Sequence, residues 1–339
     1  MKAAVLTERG ADGVTWSDYP DPVRKPGESV MRVLSSSINR VDLYMRDSGV
    51  GITHSLPQVM GVEGAGEIVE TEPGSGLEVG QKVILYAGAF SGSCRYCMAG
   101  NQPLCEKVQI MGEHRDGGFA DYIAMPSRNF FPLVDDADMQ AAGALMTGHL
   151  TAWRMLFGKQ TLMPGESVLI VGIGGGVAVA CLQLAKMIGA RVFVTSSSDE
   201  KIARAVAMGA EGGVNYTKDN VAKAILDMSG GGVDMVIDSV GDASWGDSLK
   251  SLRRGGRLVT CGATTGSHPS ADIQRMFIRQ LTVYGSTGGD VGEFRLLIDV
   301  FNQGLIKPVI DKTFRMPDIR DALDRLYKGE QFGKVSVVA

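Results

Sequence analysis

The chain has 339 residues, enough for two domains, and its 44% hydrophobic and 21% charged content is that of an ordinary globular protein. Its 34 basic and 38 acidic residues give a net charge of −4. The sequence therefore lacks the excess of basic residues that is typical of proteins that bind nucleic acids or anionic membranes. The five cysteines lack a disulfide spacing and no apolar run is as long as a membrane span, which leads us to expect a cytoplasmic protein.

Residues 1–130 are predicted to form an irregular, barrel-like β domain. Its short apolar runs include residues 3–6, 29–34 and 66–70. The prolines and glycines between these runs are typical of turns between strands. The tail, 286–339, contains two helical patterns and a final strand pattern at 334–338. We expect this tail to return to the first domain, because a β domain made from one long segment needs a closing strand.

Residues 131–285 show a different sequence pattern, in which predicted buried strands alternate with predicted helices. The segment 141–156 is rich in helix-forming residues. Strand patterns lie at 168–171, 191–195, 233–237 and 257–261, and helical patterns lie at 177–188 and 200–208. Continuous apolar strands between helices indicate a parallel sheet that is covered on both faces. We therefore predict a doubly wound α/β domain over 131–285.

Glycine is unusually frequent, at 45 of 339 residues or about 13% against a usual value of about 7%. One cluster, formed by Gly172, Gly174, Gly175 and Gly176, connects the first strand of the α/β domain to a helix that begins near Val177. Glycines in such a turn let backbone N–H groups approach a pyrophosphate at the positive end of the helix dipole. The motif predicts a dinucleotide-binding turn, although a merely tight connection would have the same glycines.

The end of the following strand bears on which dinucleotide binds. An acidic residue about 20 residues after the glycine turn is typical of NAD binding, but Ser196 and Ser197 stand here. Hydroxyl groups followed by Lys201 suit a 2′-phosphate, so we predict NADP(H). Ser197 with Glu200 three residues later also fits a helix N-cap, and the two roles are compatible. Asp199 remains an alternative partner for the adenosine.

Short motifs from end to end of the chain point to a family. They are Gly-Val-Glu-Gly-Ala-Gly at 61–66, Gly-Gly-Phe-Ala-Asp-Tyr at 117–122, Leu-Thr-Ala-Trp at 150–153, Asp-Ser-Val-Gly at 238–241, Gly-Gly-Arg at 255–257 and Phe-Gly-Lys at 332–334. Together they resemble the medium-chain dehydrogenase/reductase superfamily, which includes zinc alcohol dehydrogenases and NADPH:quinone reductases. The resemblance implies a GroES-like catalytic domain over 1–130 and 286–339 and a Rossmann domain over 131–285. It also implies cofactor contacts at Tyr216, Gly241, Cys261, Gly262, Ser286 and Thr287.

The catalytic zinc of the family has no matching ligands in this sequence. Zinc alcohol dehydrogenases hold this zinc with a Cys, a His and a third Cys or Asp, whereas the corresponding positions here are Asn39, Val62 and Met146. These side chains do not supply the N, S and O ligands that zinc catalysis requires. His54 and His149 do not have the matching spacing. We therefore predict that the protein has no catalytic zinc.

A second zinc of the family is structural and is held by four Cys on one loop. The corresponding residues here are Ser91, Cys94, Cys97 and Cys105, so the spacing is intact and the first ligand is serine. Three thiolates with a serine or a water form a weakened tetrahedral site. A structural zinc with a substitute fourth ligand and a metal-free lobe are both open interpretations.

The motif Asn39-x-x-Asp42-x-Tyr44-x-Arg46 is similar to the same stretch in zinc-independent quinone reductases, where polar groups line the substrate pocket. This similarity leads us to expect that Asn39 donates a hydrogen bond to the substrate oxygen, that Tyr44 or solvent donates a proton, and that Glu63 supports the pocket. We predict an NADPH-dependent reductase of a small molecule, either a quinone or an α,β-unsaturated carbonyl. The alternatives are an alcohol dehydrogenase or carbonyl reductase with an atypical metal site, and a non-catalytic NADPH-binding protein. The resemblance also implies a homodimer or homotetramer that pairs through the strand at 280–284.

Overall fold

The structure, a computed structural model, describes residues 1–49 and 55–339. It divides into two compact units, Met1–Leu150 together with Asp290–Ala339, and Thr151–Gly289. The boundaries differ from those expected, since residues 131–150 group with the first unit and residues 286–289 with the second. No helix in the described part of the chain is long and apolar enough to cross a membrane.

The strands are numbered in chain order. They are β1 (Lys2–Leu6), β2 (Val14–Asp18), β3 (Glu28–Ile38), β4 (Gln58–Val59), β5 (Ala65–Glu70), β6 (Lys82–Leu85), β7 (Gly88–Ala89), β8 (Gln109–Ile110), β9 (Tyr122–Pro126), β10 (Phe130–Pro132), β11 (Ser167–Ile170), β12 (Arg191–Ser196), β13 (Gly212–Asn215), β14 (Val233–Asp238), β15 (Leu252–Thr260), β16 (Thr282–Gly285), β17 (Ile310–Arg315) and β18 (Lys334–Val338).

The helices follow the same convention. They are α1 (Arg40–Asp47), α2 (Arg95–Met98), α3 (Met139–Ala142), α4 (Met146–Trp153), α5 (Gly176–Met187), α6 (Asp199–Ala207), α7 (Val221–Ser229), α8 (Asp242–Ser251), α9 (Ile273–Arg279), α10 (Val291–Asn302) and α11 (Ile319–Tyr327). A π-helical turn, Arg154–Gly158, continues α4, and four short 3₁₀ turns cover Ala11–Gly13, Gln102–Leu104, Ser127–Asn129 and Met316–Asp318.

The first unit is built around a sheet with the strand order β10-β6-β5-β3-β18-β17, in which β9 also pairs with β3. Smaller sheets have the orders β2-β1-β4 and β7-β8. The tail strand β18 runs antiparallel to β3, with Val335 opposite Ile38 and Val338 opposite Ser35. This pairing joins the tail strand to the sheet of the first unit. The same register brings the beginning of β18 next to the residues that follow β3.

The second unit contains one parallel sheet with the order β13-β12-β11-β14-β15-β16. From β11 the chain moves outward through β12 and β13 and then crosses to β14 on the other side of β11. All four residues of β11 are buried, as expected for a strand with helices over both faces of the sheet. The predicted doubly wound α/β domain is confirmed. In such a sheet, ligands bind outside the carboxyl ends of the strands where the strand order reverses.

Candidate functional site

A buried polar centre lies in the first unit, where β3 ends and β18 begins. Asn39 directly follows β3 and precedes α1, and Lys334 is the first residue of β18. Because Val335 pairs with Ile38, the antiparallel register continues from that pair to place Lys334 opposite Asn39. Glu63 comes from the segment between β4 and β5, and its side chain is fully buried. Three distant parts of the sequence thus bring an amide, an ammonium and a carboxylate together.

Hydrogen bonds connect these three side chains directly. Lys334 Nζ donates to Glu63 Oε1 at 2.8 Å and to Asn39 Oδ1 at 2.6 Å. Asn39 Nδ2 donates to Glu63 Oε1 at 2.8 Å and to the carbonyl of Ser37 at 3.1 Å. The Ser37 hydroxyl also donates to Glu63 Oε1, and the Thr147 N–H donates to Oε2 at 2.8 Å. The carboxylate therefore has a partner on both oxygens.

This network constrains what Asn39 can do. The ammonium of Lys334 has only donors, so it fixes Oδ1 of the amide on its own side and Nδ2 on the other. Both amide protons then bond within the protein, to Glu63 and to Ser37. The hydrogen bond to substrate that the sequence predicts for Asn39 would require one of these two bonds to break.

The buried centre contains more carboxyl groups than ammonium groups. Burial raises the pKa of Glu63, but the Lys334 ammonium and the hydrogen bonds from Ser37 and Thr147 outweigh burial, so its pKa is below the usual value. Asp42 lies in the first turn of α1, fully buried, and accepts a 2.7 Å hydrogen bond from the Asn39 N–H. Burial, with the nearby negative charge of Glu63, raises the pKa of Asp42 to about 7. One ammonium thus faces two buried carboxyl groups.

The other sequence-predicted residues of this unit lie around the centre. Val62 and Met146, at the positions of two family zinc ligands, are buried apolar side chains. With the amide of Asn39 fully bonded, this donor set does not fit a catalytic zinc. His149 is buried, and His54 lies outside the described residues. Tyr44 lies on α1 and is 37% exposed, so its hydroxyl is open to exchange with solvent.

Three thiols and one hydroxyl converge in a separate lobe of the first unit. Within residues 1–49 and 55–339, Cys94, Cys97 and Cys105 are the single group of three or more His, Cys, Asp or Glu that can share a metal ion, with sulfur atoms within 4.8 Å of one another. Ser91 Oγ lies 3.7 Å from the Cys97 sulfur and 3.5 Å from the Cys105 sulfur. The N–H of Cys97 donates a hydrogen bond to the Cys94 sulfur. This hydrogen bond is the main reason why the pKa of Cys94 is lowered to about 6. Burial raises the pKa of Cys97, whereas at Cys105 burial is outweighed by hydrogen bonds, chiefly from Ser91, which lower its pKa. The cluster of three sulfurs and one hydroxyl fits a structural zinc with serine as the fourth ligand.

The glycine turn of the second unit has the geometry of a phosphate-binding loop. Gly172 has a φ of 74° and Gly174 a φ of 124°, values that favour glycine. The turn is fixed by hydrogen bonds from the Gly172 N–H to Thr195 Oγ1 at 3.1 Å and from the Ile173 N–H to the Thr195 carbonyl at 2.7 Å. Gly175 precedes the first residue of α5, Gly176, and Val177 follows in the first helical turn. The first N–H groups of α5 have no acceptor within the helix, so they are available to an anion.

The strand β12 ends in Ser196 and is followed by Ser197 and Ser198, so no acidic residue stands at its carboxyl end. Ser196, its last residue, is buried, and its hydroxyl accepts from the Ser198 N–H at 3.1 Å. The helix N-cap is Ser198, whose hydroxyl accepts from the Lys201 N–H at 3.3 Å. The N-cap assigned to Ser197 from the sequence was therefore one residue early, because the strand continues to Ser196. Lys201 follows in the first turn of α6.

Asp199, the alternative adenosine partner, is already bonded within the protein. Its Oδ1 accepts from Asn215 Nδ2 at 2.7 Å, and its Oδ2 pairs with Lys218 Nζ at 2.5 Å. Asn215 itself is buried and also donates to the Ser197 carbonyl at 3.2 Å. Both carboxylate oxygens of Asp199 thus have protein partners.

The remaining predicted cofactor residues all follow the carboxyl ends of strands. Tyr216 follows β13 and its N–H donates to the Ser196 carbonyl at 3.1 Å, and Gly241 precedes α8 with a φ of 89°. Cys261 and Gly262 follow β15, and Ser286 and Thr287 follow β16. The structure therefore brings them to the edge of the sheet that also carries the glycine turn.

Lys334 and Asp238 are buried charged residues to which the sequence analysis assigned no role. Lys334 was noted only as part of a family motif, although a lysine that opens an apolar strand is a signal for a buried cation. Asp238, the last residue of β14, is fully buried and accepts from the N–H groups of Val240 and Gly241 and from the hydroxyls of Ser244 and Ser248, at 2.6 to 3.0 Å. It holds the turn that leads into α8.

A cavity of about 240 Å³ opens beside this turn. Gly172, Thr195, Tyr216 and Val240 line it, each at or after the carboxyl end of a different strand. The position matches the place where an α/β sheet binds the adenosine half of a dinucleotide.

Comparisons with known proteins agree with the two halves of this description. Residues 25–135 match the family model of the alcohol dehydrogenase GroES-like domain, and residues 176–303 match that of the zinc-binding dehydrogenases. An alcohol dehydrogenase of Geobacillus stearothermophilus is 30% identical over 99% of this chain and 98% of its own. A crystal structure of an NAD-dependent alcohol dehydrogenase superposes with a TM-score of 0.95 at 33% identity, over all of both chains. The structure of a thermostable alcohol dehydrogenase from Pyrobaculum aerophilum gives 0.91 at 31% identity, over 100% of this chain and 99% of that one.

Proposed function

Since the chain belongs to the medium-chain dehydrogenase/reductase superfamily of zinc-type alcohol dehydrogenases and is an NAD(P)-dependent oxidoreductase, we propose that it uses NADPH to reduce a quinone or an α,β-unsaturated carbonyl without a catalytic metal. The observation that carries this proposal is the buried centre of Asn39, Glu63 and Lys334. It occupies the place where the family's zinc ligands would begin, and its donors and acceptors are bonded to one another. An electron-poor C=C or quinone needs less electrophilic help than a simple ketone, so it suits a site without a Lewis acid.

The residues of the chain have distinct tasks in this reaction. When bound, NADPH supplies the hydride to the electron-poor carbon of the acceptor. The N–H groups of the turn from Gly172 to Gly176 hold the pyrophosphate. Asn39 exchanges its longer bond, 3.1 Å to the Ser37 carbonyl, for one to the acceptor oxygen, and Lys334 behind it keeps the amide polarised. Tyr44 or solvent then supplies the proton that completes the reduced product.

NADPH is favoured over NADH by the groups at the end of β12. Ser196 stands where an acid would bind the ribose 2′-hydroxyl, Asp199 is neutralised by Lys218, and Lys201 offers a positive charge for a 2′-phosphate. The alcohol dehydrogenase that superposes with a TM-score of 0.95 is described as NAD-dependent. The dissociation constants of NADPH and NADH, measured side by side, test the choice between the two cofactors.

An alcohol dehydrogenase or carbonyl reductase is the second candidate, because the relatives carry that name. The test is the oxidation of NADPH and NADH by protein dialysed against a chelator, with a benzoquinone, a cyclic enone and a saturated ketone as acceptors. We expect turnover with the quinone or the enone and little with the ketone. Turnover that favours the ketone and depends on added zinc would support the second candidate. Tight NADPH binding without any turnover would indicate a non-catalytic protein.

We also propose that Cys94, Cys97 and Cys105, with Ser91, hold a structural zinc. The four side chains come from one loop and are already close together, so the metal would fix the loop without taking part in hydride transfer. Metal analysis of protein purified without added zinc tests this. One zinc per chain that is lost in a Cys97→Ser variant is the expected result.

A second copy of the chain is the proposed partner. The edge strand β16 has one side of its backbone without a neighbouring strand in the described sheet, and Ile273 and Phe277 on the preceding helix are 71% and 67% exposed. An open edge beside exposed apolar side chains is typical of a pairing surface. Light scattering is expected to give a dimer or tetramer for the natural chain and a smaller species for Phe277→Glu.

A further inference from the structure

Both apolar and polar side chains line the cavity beside the glycine turn. Leu169, Val171 and Val221 belong to its apolar lining, and Ser244, Asp247 and Ser248, which we call its polar wall, all come from α8. The three polar residues are at spacings of three and four along α8, so they lie on one face of the helix. With a volume of about 240 Å³, several times the roughly 30 Å³ of a water molecule, the cavity has room for a planar bicyclic base.

The polar wall offers acceptors rather than donors. The hydroxyls of Ser244 and Ser248 each donate their single proton to Asp238 Oδ2, at 2.7 and 2.6 Å, so only their lone pairs remain for a ligand. Asp247 contributes a carboxylate, which also accepts, and no donor in residues 1–49 or 55–339 bonds to it. A ligand group that fits this wall must donate hydrogen bonds.

Another lining residue, Thr195 of β12, supplies a complementary group. Thr195 Oγ1 accepts from the Gly172 N–H at 3.1 Å and keeps its own proton, which can bond to a ring nitrogen. A 6-aminopurine has both features, an exocyclic amino donor and ring nitrogens that accept. A 6-oxopurine reverses both groups on this edge, because its exocyclic oxygen accepts and its protonated N1 donates, so its oxygen would face the acceptors of the polar wall.

We propose that Asp247 binds the 6-amino group of the cofactor's adenine and makes this cavity selective for adenine over 6-oxopurine dinucleotides. The inference rests on the proposed dinucleotide binding but not on the choice between NADPH and NADH, since it concerns the base alone. Asp247 is a specificity-determining residue in this role and takes no part in hydride transfer.

The test is the ratio of dissociation constants for the hypoxanthine and adenine forms of the reduced dinucleotide, measured without acceptor by cofactor fluorescence, for both the phosphate and non-phosphate pairs. We expect the natural protein to bind the hypoxanthine form at least about tenfold more weakly, as for the loss of a bond to a charged acceptor. Asp247→Asn, whose amide can donate to the 6-oxo group, should bring the ratio to within about threefold of one. The matched control Asp242→Asn, on the same helix but exposed and outside the cavity lining, should keep the natural ratio.

Each outcome has a defined meaning. A natural protein that binds both bases equally would overturn the inference, and so would an Asp247→Asn variant with the natural ratio. Retained binding of the adenine form by Asp247→Asn shows that the variant is folded. A preference for NADH with the expected base ratio would contradict the proposed NADPH use and leave the role of Asp247 supported. Failure of every adenine dinucleotide to bind would overturn both.

Discussion

The buried pair of Lys334 and Glu63 makes a sharp prediction about stability. In Lys334→Met, the chain loses the ammonium that bonds Glu63 Oε1 at 2.8 Å and Asn39 Oδ1 at 2.6 Å, while the carboxylate of Glu63 stays fully buried. Removal of one partner from a buried ion pair costs about 3–5 kcal/mol, because the remaining buried charge has lost its counter-charge. We expect a loss of this size in the free energy of unfolding of the first unit.

The chain contains a matched control for this experiment. Lys307 and Asp138 are also separated by 2.8 Å, but their side chains are 70% and 44% exposed, against 3% and 0% for Lys334 and Glu63. Lys307→Met is expected to cost about 0–1 kcal/mol, since water and salt screen the exposed pair. The difference between the two lysine variants isolates the contribution of burial.

A double variant separates charge from packing. Glu63→Gln with Lys334→Met removes both charges. It leaves the Asn39 oxygen without its donor and turns the new amide NH₂ toward the Thr147 N–H, each at a cost of about 1–3 kcal/mol. The mismatch at Thr147 is also present in Glu63→Gln alone, so the double variant should be more stable than the sum of the single variants predicts, by up to about 3 kcal/mol. The deficit of Lys334→Met should also grow from pH 5 to pH 8. Without the ammonium, burial raises the folded pKa of Glu63 above its unfolded value, so stability is lost as the pH rises and the carboxyl ionises.

Native-state hydrogen exchange measures these changes unit by unit. Exchange of peptides from β3 and β18 reports the first unit, and exchange of peptides from β11 reports the second. The loss of protection from exchange should be seen in the peptides from β3 and β18 and not in those from β11. Equal costs for Lys334→Met and Lys307→Met, or additive costs in the double variant, would refute the interpretation of a coupled buried pair.

Three further predictions concern separate parts of the molecule. Because burial raises the folded pKa of Asp42 to about 7, the free energy of unfolding of the natural protein should fall as the pH rises from 4 to 7. Asp42→Asn should raise this free energy at pH 8 by up to about 4 kcal/mol but not at pH 4, and an equal effect at both pH values would contradict this. Ser91→Cys supplies a fourth thiolate, so zinc should resist a chelator at least about tenfold longer than in the natural protein, and unchanged release would show that serine is not a ligand. Ser196→Asp places an acid at the end of β12, so the KM for NADPH should rise at least about tenfold while that for NADH falls, and a constant ratio of the two would count against the assigned cofactor subsite.

The sequence was most informative where structure is set by local residues. The apolar run of β11 followed by glycines identifies both the strand and the turn, because burial and positive φ values leave few alternatives. α8 was missed, since its Asp-Ala-Ser-Trp-Gly segment has neither strong helix formers nor a clear apolar stripe. The centre around Glu63 was also incomplete, because Lys334 is 271 residues away and only the pairing of β18 with β3 brings it close. Asn39 was recognised, but the bonds that occupy its amide depend on that same long-range contact.

The position of Lys334 also has a consequence for biosynthesis. The second unit is one continuous segment, Thr151–Gly289, and all of it is synthesised before β18. The first unit combines a segment from the beginning of the chain with a segment from its end. Glu63 and Asn39 therefore leave the ribosome long before Lys334, the cation to which both are bonded. During that interval we expect the carboxylate to stay hydrated or protonated, because burial of an unpaired charge is costly. We therefore expect the α/β unit, which needs no later residue, to fold before the polar centre closes.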